Sequence, residues 1–172
     1  MFLNRFFPRE YYKSVYDVDY EALLTKGFRG LLFDIDNTLA AFDIPEPPES
    51  VIMLLNKLKK MGFAVCLFSN NNAARVEGFN KTLALPAVHK AGKPKKRGIE
   101  KALRLLSLPK QQVAIIGDQL FTDVWGGNRS GVHTILVDPL AARDEWTVKL
   151  KRKPEKILKN IYFKRQQKTG GN

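Results

Sequence analysis

The chain has 172 residues, of which 44% are hydrophobic, 10% aromatic and 27% charged, a composition that fits one folded domain and excludes a disordered or fibrous protein. Lys and Arg outnumber Asp and Glu by 29 to 17, a formal charge of +12, which favours an anionic partner such as nucleic acid, anionic lipid or a phosphorylated substrate. No apolar run approaches the roughly 20 residues of a bilayer span, charge and proline interrupt the first ten residues before a secretory core forms, and the single Cys66 excludes an internal disulfide, so the sequence reads as cytoplasmic.

Residues 1–25 set Phe2, Leu3, Phe6, Phe7, Tyr11, Tyr12 and Tyr16 among Arg5, Arg9 and Lys13, which suits either the interface of an anionic membrane or an arm packed on the domain. The domain proper is expected over 26–148. Gly30–Phe33 is a short apolar run that ends abruptly in Asp34-Ile35-Asp36-Asn37-Thr38, as a buried parallel strand running into a loop does. After a proline-rich linker, Val51, Ile52, Leu54, Leu55 and Leu58 recur at helical spacing, and Gly62 is placed to end that helix. Phe63–Phe68 is the second strand. Asn70-Asn71-Asn72 then turns the chain, Ala73–Phe79 predicts a short helix and Pro86–Val88 a brief strand.

Ile99, Ala102, Leu103, Leu105 and Leu106 are expected to line one face of a further helix, followed by a strand over Val113–Ile116 that ends at Gly117-Asp118. Thr122–Arg129 is expected to be helical, with Gly131 as its stop, and Val132–Val137 is the last strand. Strands alternating with helices argue an α/β fold, a doubly wound, Rossmann-like parallel sheet with helices on both faces. From Lys149 to Asn172 nine basic residues face Glu155 alone, so +8 of the charge lies in a basic tail whose Gly170-Gly171 end is expected to fray.

In such a sheet ligands bind beyond the carboxyl ends of the strands, where Asp34, Asp36, Ser69, Lys93, Asp118 and Asp123 all fall. Four carboxylates, a hydroxyl and an ammonium at one edge describe a site for a hard divalent cation, Mg2+ by its oxygen ligands, and a phosphate. An aspartate can attack phosphorus there, with a cation and a lysine offsetting the repulsion between two anions. Taken singly, an Asp or Asn after a strand is ordinary turn chemistry, and most lysines of the run Lys90–Arg97 form a solvated face. His89 and His133 match no motif, and Cys66 lies mid-strand in the core.

The segment Asp34-Ile35-Asp36-Asn37-Thr38 after a hydrophobic strand resembles the first motif of the haloacid dehalogenase (HAD) phosphohydrolase superfamily. Ser69 resembles the second, Lys93 in Gly92-Lys93-Pro94 the third, and Gly117-Asp118-Gln119-Leu120-Phe121-Thr122-Asp123 the fourth, in that order. The resemblance implies strand order 3-2-1-4-5, with Asp34 as nucleophile and Asp36 as the acid that protonates the leaving oxygen and then activates water. It implies Ser69 and Lys93 on the phosphoryl oxygens with help from Asn70 and Asn71, and Thr38 bracing the loop. Asp34, the Asp36 carbonyl and Asp118 would hold Mg2+, with Asp123 as a further ligand or orienting group.

Thirty residues separate Thr38 from Ser69 and 23 separate Ser69 from Lys93, which leaves no room for a sizeable cap domain. An open site suits a large or surface-held substrate. The aromatic N-terminus, the Phe-Ser-Asn-Asn turn and the Gly-Lys-Pro-Lys segment resemble the YqeG-type branch of HAD subfamily IIIA, which is similar to the mitochondrial and plastid phosphatidylglycerophosphate phosphatases. The likeness implies conversion of phosphatidylglycerophosphate to phosphatidylglycerol, with peripheral binding at the inner face of an anionic membrane. Two alternatives stand beside it: a phosphatase of nucleotides or phosphoproteins, and a basic RNA- or ribosome-associated protein with a secondary phosphatase site.

Overall fold

In the computed structural model, which describes residues 2–140 and 157–165, a 3-10 turn over Phe2–Phe6 leads into the strands and helices of the domain. They follow as β1 (Glu10–Tyr12), α1 (Tyr20–Thr25), β2 (Gly30–Phe33), α2 (Glu49–Lys60), β3 (Ala64–Phe68) and α3 (Ala73–Asn80), then β4 (Ala87–Val88), α4 (Lys96–Leu106), β5 (Val113–Gly117), α5 (Trp125–Ser130) and β6 (His133–Val137). The sheet is parallel throughout, in the order β1-β6-β5-β2-β3-β4. The expected order holds for the five strands of the doubly wound unit. β1, inside the segment set apart as an arm, adds a sixth strand at the β6 edge that the sequence did not foretell.

The strands are apolar at nearly every position because both sheet faces are covered. With side chains alternating, Leu31 and Phe33, Val65 and Leu67, and Ala114 and Ile116 pack with Leu23, Val51, Leu55, Leu58, Val76 and Phe79 on one side. Leu32, Cys66, Phe68, Val113 and Ile115 meet Ile99, Ala102 and Leu106 of α4 on the other. Leu105, expected on this face, is 46% exposed instead, because it lies off the 99-102-106 stripe that α4 buries. Burial pushes the Cys66 thiol up to about 12, so it is a core residue and not a nucleophile.

Where one helix was expected over Thr122–Arg129, a π-helical turn over Leu120–Val124 precedes α5, which Gly131 closes with φ of +74°. The N-terminal aromatics are packed: Phe6 is buried, 5.4 Å from Phe121 and 5.2 Å from Trp125, and only Tyr16 of those described is exposed. Within the basic tail, residues 157–165 are helical and lie against the N-terminus, with ring centroids of Tyr162 and Phe7 at 5.7 Å and of Phe163 and Tyr11 at 4.8 Å. The rest of the tail, with its Gly170-Gly171 end, is outside the described residues. Among the described residues no helix is long and apolar enough to cross a membrane.

Candidate active site

Because β2 and β5 are adjacent and in register, with Phe33 opposite Ile116, the residues that follow them meet at one point of the carboxyl edge. Asp34 and Asp118 come from these two strand ends, and the π-turn returns Asp123 beneath them. The carboxylates of Asp34, Asp118 and Asp123 each offer an oxygen within 4.8 Å of the others, and all three residues are buried. Asn37 accepts a left-handed φ of 62° in the turn after Asp36, a conformation Asn tolerates. That turn sets Thr38 Oγ1 3.5 Å from oxygens of both Asp34 and Asp118.

Lys93 is the buried cation of this cluster. Its ammonium donates to Asp34, to Asp123 Oδ1 at 2.7 Å and to the Phe68 carbonyl at 3.1 Å. Burial disfavours its charge, but the Asp123 and Asp34 carboxylates more than offset that and hold it above the ordinary lysine range. Asp34 is pushed up to about 7, chiefly by burial, against the opposing pull of Lys93 and with added repulsion from Asp123 and Asp36. Three buried carboxylates gathered about the Lys93 ammonium form an all-oxygen donor set that fits a hard divalent cation.

The other expected residues surround the same cleft of about 280 Å³, which Asp34, Asp36, Ser69, Asn71 and Lys93 line together with Phe42. Ser69 Oγ accepts the Asn71 N–H at 3.0 Å. Asn70 also reaches the cleft, but both ends of its amide are engaged with the Lys93 backbone, accepting from N at 2.7 Å and donating to O at 3.2 Å. It therefore braces the lysine loop from within the cleft. Asp36 stands apart from the acid cluster, its Oδ1 taken by Arg75 and its Oδ2 3.3 Å from Asn71 Nδ2.

Sequence reasoning missed Arg75, Gln119 and Thr122. The Gln119 N–H and Thr122 hydroxyl donate to Asp123 Oδ2 at 3.2 and 3.3 Å, and both residues lie inside the fourth motif, where they could have been marked. Arg75 had only its place in the first turn of the helix after Ser69 as a signal. His133, read as packed or surface, lies 3.0 Å from Glu10 and against Phe28, away from the site.

Residues 90–162 match the family model described as HAD-hydrolase-like. The chain is 39% identical over 157 residues to the probable phosphatase YqeG of Bacillus subtilis, covering 91% of each chain. It is 31% identical to the chloroplastic phosphatidylglycerophosphate phosphatase 1 of Chlamydomonas reinhardtii, over 74% of this chain and 51% of that protein. Among solved structures, a haloacid dehalogenase-like hydrolase from Streptococcus pneumoniae superposes with a TM-score of 0.51 at 14% identity, covering 64% of this chain and 84% of that one, a likeness of fold.

Proposed function

This chain belongs to the HAD-like phosphatase family of YqeG, and from that membership we propose that it is a Mg2+-dependent phosphatase that removes the terminal phosphate of phosphatidylglycerophosphate. The observation that carries the catalytic reading is the buried trio Asp34, Asp118 and Asp123 around the Lys93 ammonium. Asp34 attacks phosphorus and forms an aspartyl-phosphate as the bond to the leaving oxygen breaks. Lys93 and Ser69 bind the phosphoryl oxygens, and Asn71 lies beside them. Asp36 gives a proton to the leaving oxygen, then takes one from the water that attacks the aspartyl-phosphate and frees Asp34. Asp34, the Asp36 carbonyl, Asp118 and Asp123 would hold Mg2+, which when bound neutralises developing phosphoryl charge.

A lipid phosphate is supported by the surroundings of the cleft. No cap covers it among the described residues, since only α2 and β3 lie between Thr38 and Ser69 and only α3 and β4 between Ser69 and Lys93. Exposed Phe42, Ile44 and Leu140 belong to segments at its edge, the backbone of Leu140 being bonded to Asn37. Lys90, Lys95, Lys96 and Arg97, all exposed, flank the loop of Lys93. Apolar side chains next to cations complement an anionic lipid surface. The name of the chloroplastic relative, a phosphatidylglycerophosphate phosphatase, supports this choice of lipid.

The test is Mg2+-dependent phosphate release from phosphatidylglycerophosphate in mixed micelles, beside soluble phosphate esters, with Asp34→Asn as the blank. Preferential lipid turnover that the blank lacks is the expected result. Turnover of soluble esters alone would overturn the lipid assignment and keep the phosphatase. No turnover of any ester would overturn both and favour the RNA-binding alternative.

A further inference from the structure

We infer that Arg75 is the positioning residue that aims Asp36, anchoring one carboxylate oxygen so that the other handles the proton; this rests on the reading of Asp36 as acid and base. The Arg75 guanidinium donates to Asp36 Oδ1 twice, from Nε at 3.2 Å and Nη2 at 3.0 Å. Its third contact, Nη1 to the Pro45 carbonyl at 3.0 Å, ties the loop after the first motif to α3. The guanidinium carbon lies 5.2 Å from the centroid of Phe79, which is fully buried one helical turn on. At its backbone, Arg75 N–H caps onto Asn72 Oδ1 at 2.9 Å. A planar, multiply bonded guanidinium with 14% of its side chain exposed is fixed in place and is not a mobile surface charge.

The two oxygens of Asp36 are thereby made unequal. Oδ1 carries both Arg75 bonds, whereas Oδ2 has one longer contact, 3.3 Å from Asn71 Nδ2, and Asn71 itself lines the cleft. A proton-transfer oxygen needs an aimed lone pair and a neighbour it can exchange for substrate or water, and Oδ2 meets both conditions. Oδ2 therefore donates its proton to the leaving oxygen as the P–O bond breaks. In the second half it accepts a proton from water as the new P–O bond forms and the bond to Asp34 breaks. With its Nε, Nη1 and Nη2 engaged on Asp36 and the Pro45 carbonyl, Arg75 acts through Asp36.

Leaving-group dependence separates this role from a merely structural one, because a nitrophenolate leaves without a proton and an alkoxide does not. First-turnover rates, kcat and KM would be measured for an alkyl phosphate ester and for p-nitrophenyl phosphate with the full chain and its Arg75→Ala, Arg75→Lys and Asp36→Asn variants. Arg75→Ala is expected to slow the first turnover of the alkyl ester about 10- to 100-fold, to leave KM near the wild-type value and to change first-turnover nitrophenol release far less. Arg75→Lys, which keeps the charge but not the two-point grip, is expected to lose less and to show the same split, and it carries the test if Arg75→Ala does not fold. Equal losses on both esters in folded variants, or no loss on the alkyl ester, would overturn the inference while Asp36→Asn stays impaired. An unimpaired Asp36→Asn would overturn the reading of Asp36 itself.

Discussion

Gly117 gives the sharpest probe of the acid cluster, because one methyl group there reaches Asp123 without touching any ionisable side chain by substitution. Gly117 lies at the end of β5 and outside the positive-φ glycines, so alanine meets no backbone penalty. A Cβ at this position would stand 2.3 Å from Asp123 Cγ, 2.5 Å from its Oδ2 and 2.7 Å from its Cβ. Restoring ordinary contact requires the carboxylate and its turn to retreat by about 1 Å, since both Cβ and Cγ are too close for a rotation to suffice. That displacement breaks the 2.7 Å bond from Lys93 and shifts the lysine that contacts Asp34. A misplacement of that size costs roughly 100-fold in rate, or about 2.7 kcal/mol of barrier. The overpacking itself costs about 1–3 kcal/mol of stability.

Gly127→Ala is the matched control. Its Cβ would meet Thr134 Cγ2 at 2.4 Å and Ile115 Cγ2 at 2.7 Å, so it overpacks the core without pressing on an acid. Steady-state hydrolysis of a soluble phosphate ester over a Mg2+ titration, together with urea melts, compares the pair. The expected outcome is similar destabilisation of both, with kcat lost in Gly117→Ala alone. A folded Gly117→Ala enzyme with wild-type kcat and Mg2+ dependence would refute the claim that Asp123 must sit where it does.

Asp118→Ala is expected to raise the Mg2+ concentration needed for half-maximal activity, and an unchanged titration would remove Asp118 from the metal site. Gly78, inside α3, has nothing within 4 Å of its would-be Cβ, so Gly78→Ala should stabilise the fold by about 0.5–1 kcal/mol with kcat unchanged, read from the same melts. Glu10 is pulled up by burial but held below the ordinary glutamate range by its hydrogen bonds with Tyr12 and Lys26 and by His133. A depressed carboxylate adds stability above its unfolded value, near 4.5, and loses it as pH falls through the folded value. Glu10→Gln is therefore expected to lower Tm at pH 7, with the gap to wild type closing as pH falls below 4.5 and through the lowered folded value; a constant gap would refute the assignment.

Much of this arrangement was readable from the chain because the signals were local. Leu31-Leu32-Phe33 and Ala114-Ile115-Ile116 are buried on both faces, so unbroken apolar runs marked the central strands, and the acids fell directly after them. Three residues, all half-buried, carry no such period, so β1 was hidden in a segment whose aromatic content suited a membrane as well as a packed arm. Arg75 escaped for a different reason. Its role exists only in a contact with Asp36, 39 residues away, and that contact leaves no mark on the local pattern. The π-turn was not told apart from plain helix because it is a single turn, too short for a changed period to show in the sequence.

The pairing of β1 with β6 also bears on how the molecule is made. Arg9 N–H bonds to the Thr134 carbonyl across 125 residues, so this strand pair closes the longest loop in the sheet and bears a matching entropic cost. During synthesis Glu10–Tyr12 leaves the ribosome ahead of the other strands of the sheet, whereas Ile135–Val137, against which it settles, follows after them. Until they meet, the outer edge of β6 offers unpaired backbone groups on an apolar strand, the kind of edge that recruits other chains. Shortening or tagging the first dozen residues therefore touches a finishing step of assembly, with aggregation during expression as its first symptom and a normal catalytic cleft in whatever fraction escapes.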